Sequence, residues 1–277
     1  MNQKNNPLGR FTYSSVRAFE YSRGEVLSSD VDLVKEAPLE ISINEGAPTL
    51  LMFTPGMARE LATGFVLTEG FVSAFDDIEG CEITEGQEDG DPVSVKILVP
   101  PDRLCAPPSS GSRIAFSSCG VCGRHDFGEL EENLSRVRST KRFSMEVLLQ
   151  IPGRILDLQP LYLRTGGAHG AFLFDARGNA LLSGEDMGRH NALDKVIGGS
   201  LIQGVDLQDK IIMSSGRASL EMILKTARAG VPVFIANSRP TSRAVEAARH
   251  YNITLIDMAR SSNRIYTHAR RISEFKN

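Results

Sequence analysis

Two cysteines, Cys119 and Cys122 in Ser117-Ser118-Cys119-Gly120-Val121-Cys122-Gly123-Arg124, are the residues of this chain whose type and spacing speak most directly of chemistry. A Cys-x-x-Cys loop brings two sulfurs together. It can hold a metal, cycle between dithiol and disulfide, or carry a transferable sulfur atom. Structural zinc takes four ligands, usually from two paired motifs. No second Cys-x-x-Cys and no His-x-x-x-His follows here, and only His125 adds a nearby donor. A thioredoxin-like site places its first sulfur at a helix N-terminus after a strand, whereas Gly120 and Gly123 point to a loop. Arg113, Arg124, His125 and the accessible backbone N–H groups of that loop favour a thiolate. An inert packing pair is the plain competitor, but a reactive, exposed thiolate fits the surroundings best. Cys81 and Cys105 read as free packing thiols with no chemical role.

Four further stretches concentrate polar chemistry. Ser183-Gly184-Glu185-Asp186-Met187-Gly188-Arg189-His190-Asn191-Ala192-Leu193-Asp194-Lys195 puts acid, guanidinium and imidazole into one turn leading to a helix. There Glu185 or Asp186 either orients His190 or Arg189 or caps the helix, with capping favoured, and Arg189 can bind an anion. Ser214-Ser215-Gly216-Arg217-Ala218-Ser219 lies between a strand and a helix, where small residues let backbone N–H groups approach a phosphate and Arg217 offers a fork of donors. It matches neither a Walker A nor a GxGxxG sequence, so an ordinary capped βα turn is the stronger reading on spacing alone. Arg164-Thr165-Gly166-Gly167-Ala168-His169 is a glycine turn ending in a histidine, a pocket lining or a bend. Asp257-Met258-Ala259-Arg260-Ser261-Ser262-Asn263-Arg264 follows an apolar run, at the strand end where α/β sheets place ligands.

The elements that must position these residues are legible in part. Leu39–Ile43 and Thr49–Phe53 around Asn44-Glu45-Gly46 read as a hairpin. Thr54-Pro55 reads as the cap of a helix that Gly70 closes, and the alternation in Pro92–Val99 reads as a half-buried strand. Pro100-Pro101 through Pro107-Pro108-Ser109-Ser110-Gly111-Ser112 marks a linker. The chain therefore divides into a small mixed α+β domain over 1–110 and a larger α/β domain over 111–277 that begins with the cysteine loop. A helix starts near Ser144, and Ala171–Phe174 and Ala180–Leu182 form a second hairpin. Lys210–Met213, Val231–Ala236 and Ile253–Ile256 then alternate with helices capped by Ser219 and Thr241, the signature of parallel βαβ units.

Composition narrows the function classes. A net charge of -3 and a pI near 6.0 give no overall attraction to polyanions, and the absence of tryptophan leaves few stacking platforms, so bulk nucleic-acid binding is not expected. The first fifteen residues lack the apolar run of a signal peptide and no stretch approaches a membrane span, which reads as cytoplasmic and without membrane insertion.

Taken in order, Cys119-Gly-Val-Cys122-Gly, Thr165-Gly-Gly-x-His169, Glu185-Asp-Met-Gly-Arg-His-Asn-Ala-Leu-Asp-Lys195, Ser215-Gly-Arg-x-Ser219-x-Glu221 with Lys225, and Tyr266-Thr-His268 resemble the formate dehydrogenase accessory sulfurtransferase family, also called FdhD/NarQ. The resemblance implies a cytoplasmic homodimer whose main domain has a cytidine-deaminase-like α/β/α fold, with the smaller N-terminal α+β domain beside it. It implies a sulfur carrier that takes persulfide sulfur from a cysteine desulfurase. The sulfur passes to the molybdenum (or tungsten) bis-pterin guanine dinucleotide cofactor before its insertion into formate dehydrogenase. Cys119 is then the persulfide-bearing nucleophile and Cys122 a second thiol. The guanine-dinucleotide contact segment falls on Met258, Ala259, Arg260, Ser261, Ser262 and Asn263, in a pocket that also suits a GDP-like nucleotide, with His169, Arg189, Arg217 and Ser219 as the remaining cofactor-binding candidates. No resident metal is expected. A chaperone that shelters the cofactor without moving sulfur is one alternative. A zinc-dependent deaminase is a weaker one, because Ser118 stands where that chemistry needs proline before the first cysteine and no His-x-Glu occurs.

Overall fold

The computed structural model describes residues 12–84, 92–105, 113–115 (backbone only), 134–259 and 262–276. The two hairpins expected from alternation are present. Strands β3 (Ala37–Ile43) and β4 (Thr49–Phe53) pair antiparallel, and Asn44 takes a left-handed φ of 51° at the turn. Its side chain also donates to Val99 O and accepts from Val99 N at 2.8 and 2.9 Å, locking the turn to the neighbouring strand. That strand, β6 (Val93–Leu98), lies parallel to β3, and β5 (Gly80–Thr84) and β7 (Arg113–Ala115) complete a five-stranded sheet in the order β5-β6-β3-β4-β7. Two long strands that alternation did not announce, β1 (Tyr13–Ser22) and β2 (Glu25–Val34), form a separate two-stranded ribbon turned by Arg23 and Gly24, both at positive φ.

Helix α1 (Ala58–Thr68) is closed by Gly70 at φ 74°, as expected, but Thr54 does not cap it. Met57 occupies the cap position in a left-handed conformation without a side-chain bond. Thr54 is instead used by the opposite half of the chain: its N–H donates to Asp186 Oδ2 at 3.0 Å and its hydroxyl accepts from Met187 N at 3.0 Å. Long-range bonds here override a local capping preference.

The second sheet has six strands in the order β13-β12-β11-β10-β8-β9. Strands β8 (His169–Phe174) and β9 (Ala180–Asp186) form the second hairpin. Strands β10 (Ile211–Arg217), β11 (Val233–Ser238) and β12 (Thr254–Asp257) are parallel, linked by α5 (Leu220–Arg228) and α6 (Ser242–His250), as their sequence alternation requires. Because β8 runs antiparallel to β10 and β13 (Arg264–Ile265) antiparallel to β12, the sheet is mixed. Short helices α2 (Met145–Gln150) and α3 (Pro160–Thr165) precede it, and α4 (Arg189–Ile202) follows β9. Ser219 and Thr241 cap α5 and α6 by accepting from Met222 N and Ala244 N, as expected.

Both faces of the six-stranded sheet are covered, which is why its parallel strands carry the continuous apolar runs Ile211–Met213, Val233–Ala236 and Leu255–Ile256. Ile212, Phe234 and Leu255 face one core and Ile211, Met213, Val233, Ile235 and Ile256 face another with Phe143, Leu148 and Ile151. The first core continues through α4 and α1 to Leu39, Ile41 and Phe53 of the five-stranded sheet. The division expected near residue 110 lies outside the described residues. No helix among the described residues is long and apolar enough to cross a membrane.

Helices α1 and α4 cross at backbone contact. A Cβ on Gly64 would lie 2.0 Å from Asp194 O, and one on Gly198 would lie 1.9 Å from Glu60 O. Only glycine fits at either place. Gly198→Ala is expected to push the helices apart and destabilise the fold by about 1–3 kcal/mol or more, read as a lower urea midpoint. A midpoint unchanged from wild type would show that the crossing is looser than described.

Candidate functional site

The carboxyl ends of β9, β10, β11 and β12, the first residue of β8 and the start of α4 meet at one edge of the six-stranded sheet. Three of the four polar stretches picked out from the sequence supply that edge directly, and the fourth follows β12. The glycine turn before β8 is a helix C-cap: Gly166, at φ 66°, donates its N–H to Tyr162 O at 2.7 Å and ends α3. It delivers His169, whose Nδ1 stands 3.5 Å from Ser215 Oγ. Ser215 Oγ in turn accepts from Gly170 N at 2.9 Å. Partial burial lowers the His169 pKa, the Arg189 charge lowers it further, and Asp186 opposes both.

The Glu185-to-Lys195 stretch is divided between scaffolding and the site. The expectation that Glu185 or Asp186 orients His190 or Arg189, or caps α4, is corrected. Glu185 caps a different helix: its carboxylate accepts from Leu161 N at 2.9 Å and Tyr162 N at 2.8 Å in the first turn of α3. Asp186, fully buried, braces the bend before α4 by accepting from Gly188 N, Asn191 Nδ2 and Thr54 N, and it pairs with Lys195 at 2.8 Å. Lys195 also donates to Thr54 O and Glu185 O. What remains for the site is Arg189 and His190. His190 Nε2 lies 3.5 Å from Glu221 Oε2 and 3.5 Å from Ser219 Oγ. Arg189 lies along Gly216, where an added Cβ would meet its Cδ at 3.3 Å, and its buried Nε has no acceptor among the described residues.

Behind His190 sits a buried charge cluster that composition and spacing alone do not announce. Lys225 Nζ, almost fully buried, contacts Glu69 Oε1 at 2.7 Å, Asp194 Oδ2 at 2.8 Å and Thr68 Oγ1 at 2.9 Å. Burial works against the Lys225 charge, but Asp194, Glu69 and Glu221 outweigh it and hold its pKa high. Burial pushes Asp194 up to about 6 against the pull of Lys225. Glu221 is pushed up to about 8, first by burial and then by Glu69 and Asp194, with Lys225 and Arg189 opposing. One ammonium thus faces three carboxyl groups, and the third keeps its proton at neutral pH.

At the end of β12, Asp257 organises the loop that the sequence singled out. Its fully buried carboxylate accepts from Ala259 N at 2.7 Å, from the Ser262 hydroxyl at 3.3 Å and from the Tyr266 phenol at 3.2 Å. Burial and Asp257 together raise the Tyr266 pKa. Met258 is buried in the second core, Ser262 is half-buried and Asn263 exposed, while Arg260 and Ser261 lie outside the described residues. Arg217 is exposed and pairs in register with Ser238 of β11. Ser219 is occupied as the cap of α5. Cys119 and Cys122, with Arg124 and His125, fall outside the described residues, so their placement relative to this edge is not part of the geometry.

Comparison with known proteins agrees with the motifs. The model of the FdhD/NarQ family matches residues 34–273. A protein named sulfur carrier protein FdhD from Mycolicibacterium paratuberculosis is 39% identical over 271 residues, covering 92% of this chain and 97% of that protein. One of the same name from Thermoplasma acidophilum is 36% identical over 270 residues, covering 94% and 93%. Among solved structures, a formate dehydrogenase accessory protein from Desulfotalea psychrophila has the same fold, with a TM-score of 0.75 at 21% identity over 94% of this chain and 99% of that one. With its motifs in family order and a family match over residues 34–273, the chain belongs to the FdhD/NarQ family.

Proposed function

We propose that this protein is a sulfur carrier that supports formate dehydrogenase. The observation that carries the reading is a Cys-x-x-Cys at 119–122 within a chain whose relatives over nearly its whole length are named sulfur carriers. In the proposed step the Cys119 thiolate attacks the outer sulfur of a persulfide on a cysteine desulfurase. A new S–S bond forms on Cys119, the old one breaks, and the desulfurase cysteine leaves as a thiolate. The molybdenum (or tungsten) bis-pterin guanine dinucleotide cofactor is the recipient, bound as substrate at the sheet edge, and Cys122 serves as the second thiol. Asp257 supports this assignment by holding Ala259, Ser262 and Tyr266 after β12, and His169, Arg189 and the Ser215–Arg217 strand end lie at the same end of the sheet. The deaminase-like reading of the six-stranded sheet, the two-domain division, the homodimer and the cytoplasmic location belong to the same proposal.

Incubation with a cysteine desulfurase and cysteine, followed by mass spectrometry of the peptides, tests it. Cys119 is expected to gain the mass of one sulfur atom, and Cys119→Ser to lose both that mass and the activation of formate dehydrogenase. Sulfur found on Cys122 and never on Cys119 reverses the assignment. Activation that survives replacement of both cysteines sinks the carrier and leaves a cofactor-sheltering chaperone.

A further inference from the structure

Large aromatic side chains held in water at the end of a long arm mark an interaction surface. The β1–β2 ribbon is such an arm. Among the described residues it is anchored at its base, where β2 lies against α3, Arg164 sits 3.9 Å over the Tyr13 ring and Arg164 Nε donates to Asp32 at 2.7 Å. Gly167 makes room there for Val34, whose Cγ1 an added Cβ would meet at 3.2 Å. Opposite residues of the ladder share a face, so the register puts Phe19, Tyr21 and Val26 at the tip on the same face that Tyr13 and Asp32 present to α3 at the base. Phe19 and Tyr21 are 72% and 74% exposed and Val26 65%. A strand rises about 3.3 Å per residue, which carries these rings roughly 20–27 Å beyond Tyr13, out of reach of their own anchor. A two-stranded ribbon is marginal in water by itself, so this face calls for a cover.

The same chain carries a matching receptor. Beside the base of the arm, α3 and the turn before it expose Leu156, Tyr162 and Leu163. Apolar tip and apolar platform thus stand at opposite ends of one ribbon. A two-fold axis through the middle of the arm makes that arrangement self-complementary: with two arms laid antiparallel, the tip of each comes onto the platform of the other. At the midpoint Arg17 and Asp30 pair on the same face at 3.7 Å, so the crossing is balanced in charge. With an aromatic side chain at roughly 150–250 Å², tip and platform of one copy together offer on the order of 700 Å², close to the ~800 Å² per partner of a standard interface. A different protein seated on the tip would leave the platform bare, whereas a second copy closes both.

We propose that the β1–β2 ribbon is a dimerisation arm, whose Phe19, Tyr21 and Val26 seat on Leu156, Tyr162 and Leu163 of a second copy while that copy's arm returns the contact. The arm gives a surface to the homodimer proposed above and rests on that part of the reading, not on the sulfur carrier.

Sedimentation equilibrium of the full chain across a dilution series tests it. Wild type is expected to dimerise. Phe19→Asp combined with Tyr21→Asp, and separately Leu163→Lys, should each weaken the dimer about a hundredfold or more while the far-ultraviolet circular dichroism stays that of wild type. Mixing the two variants should bring association back by about tenfold or more, because one tip–platform contact is then intact and the other sets aspartates against a lysine. A dimer indifferent to both variants, or a mixture no tighter than either variant alone, overturns the arm and leaves a homodimer formed elsewhere. A wild type that stays monomeric overturns arm and homodimer together, and a monomer whose tip instead binds a cysteine desulfurase gives the surface to that partner. Cys119 persulfide formation is read separately by mass spectrometry, so the carrier function and the arm fail independently.

Discussion

Lys225→Met is expected to lower the unfolding free energy by about 3–5 kcal/mol, the cost of removing one partner from a buried ion pair. The ammonium is the junction of α1, α4 and α5: it reaches Glu69 and Thr68 at the end of the first helix and Asp194 in the second. Without it, Asp194 keeps a bond from the Thr68 hydroxyl at 2.8 Å but loses its countercharge in a site that is almost fully buried. Asp194 can then take up a proton, which caps the loss and makes it depend on pH. The double variant Lys225→Met with Asp194→Leu removes both charges and should recover a large part of the single variant's loss, because replacing a whole buried pair by apolar groups is often neutral. Urea midpoints for wild type, both single variants and the double variant give the coupling directly. Additive losses, or a Lys225→Met midpoint within error of wild type, would mean that the cluster does not tie the two halves together.

This junction also shows where sequence reading stops. The strands of the six-stranded sheet were legible because burial on both faces forces continuous apolar runs, and the caps Ser219 and Thr241 because their bonds reach only three residues ahead. The β1–β2 ribbon was not legible: most of Tyr13–Ser22 is exposed, so no apolar face imposes alternation on it. Its pairing rests on the Arg23-Gly24 turn and on Arg164, which lies 3.9 Å over the Tyr13 ring and bonds Asp32 at 2.7 Å from 132 residues away. The same limit governs the site. Arg189, His190 and His169 stood out by type, but their partners did not, because Glu221 meets His190 across two helices and Thr68 meets Asp194 across 126 residues of chain. Glu185 and Asp186 were misjudged for the same reason. Local spacing places them at the mouth of α4, whereas the fold gives one to α3 and the other to Thr54.

Stability should fall as pH rises through the neutral range, and Glu221→Gln should remove most of that fall. Burial raises the Glu221 pKa from 4.5 to about 8 in the folded protein, so between those values the folded state holds a proton that the unfolded chain has released. The unfolding free energy therefore declines with increasing pH across that window. The penalty is absent below the unfolded value and complete above the folded one, about 5 kcal/mol at most, since each pKa unit corresponds to about 1.4 kcal/mol. Asp194, raised to about 6 in the same cluster, adds to the decline at its acid end and persists in the variant. Lys225 stays charged throughout and contributes no slope. Glutamine keeps the shape and hydrogen-bonding capacity of the protonated acid without its titration, so the Glu221→Gln curve should flatten above about pH 6. There the variant should exceed wild type by about 2–4 kcal/mol at pH 9, and the two should converge near pH 5. Urea unfolding at half-unit steps across this range measures it. Parallel curves for the two proteins, or a wild type that gains stability towards pH 9, would show that Glu221 is ionised in the folded state and would leave Arg189 with a countercharge of its own.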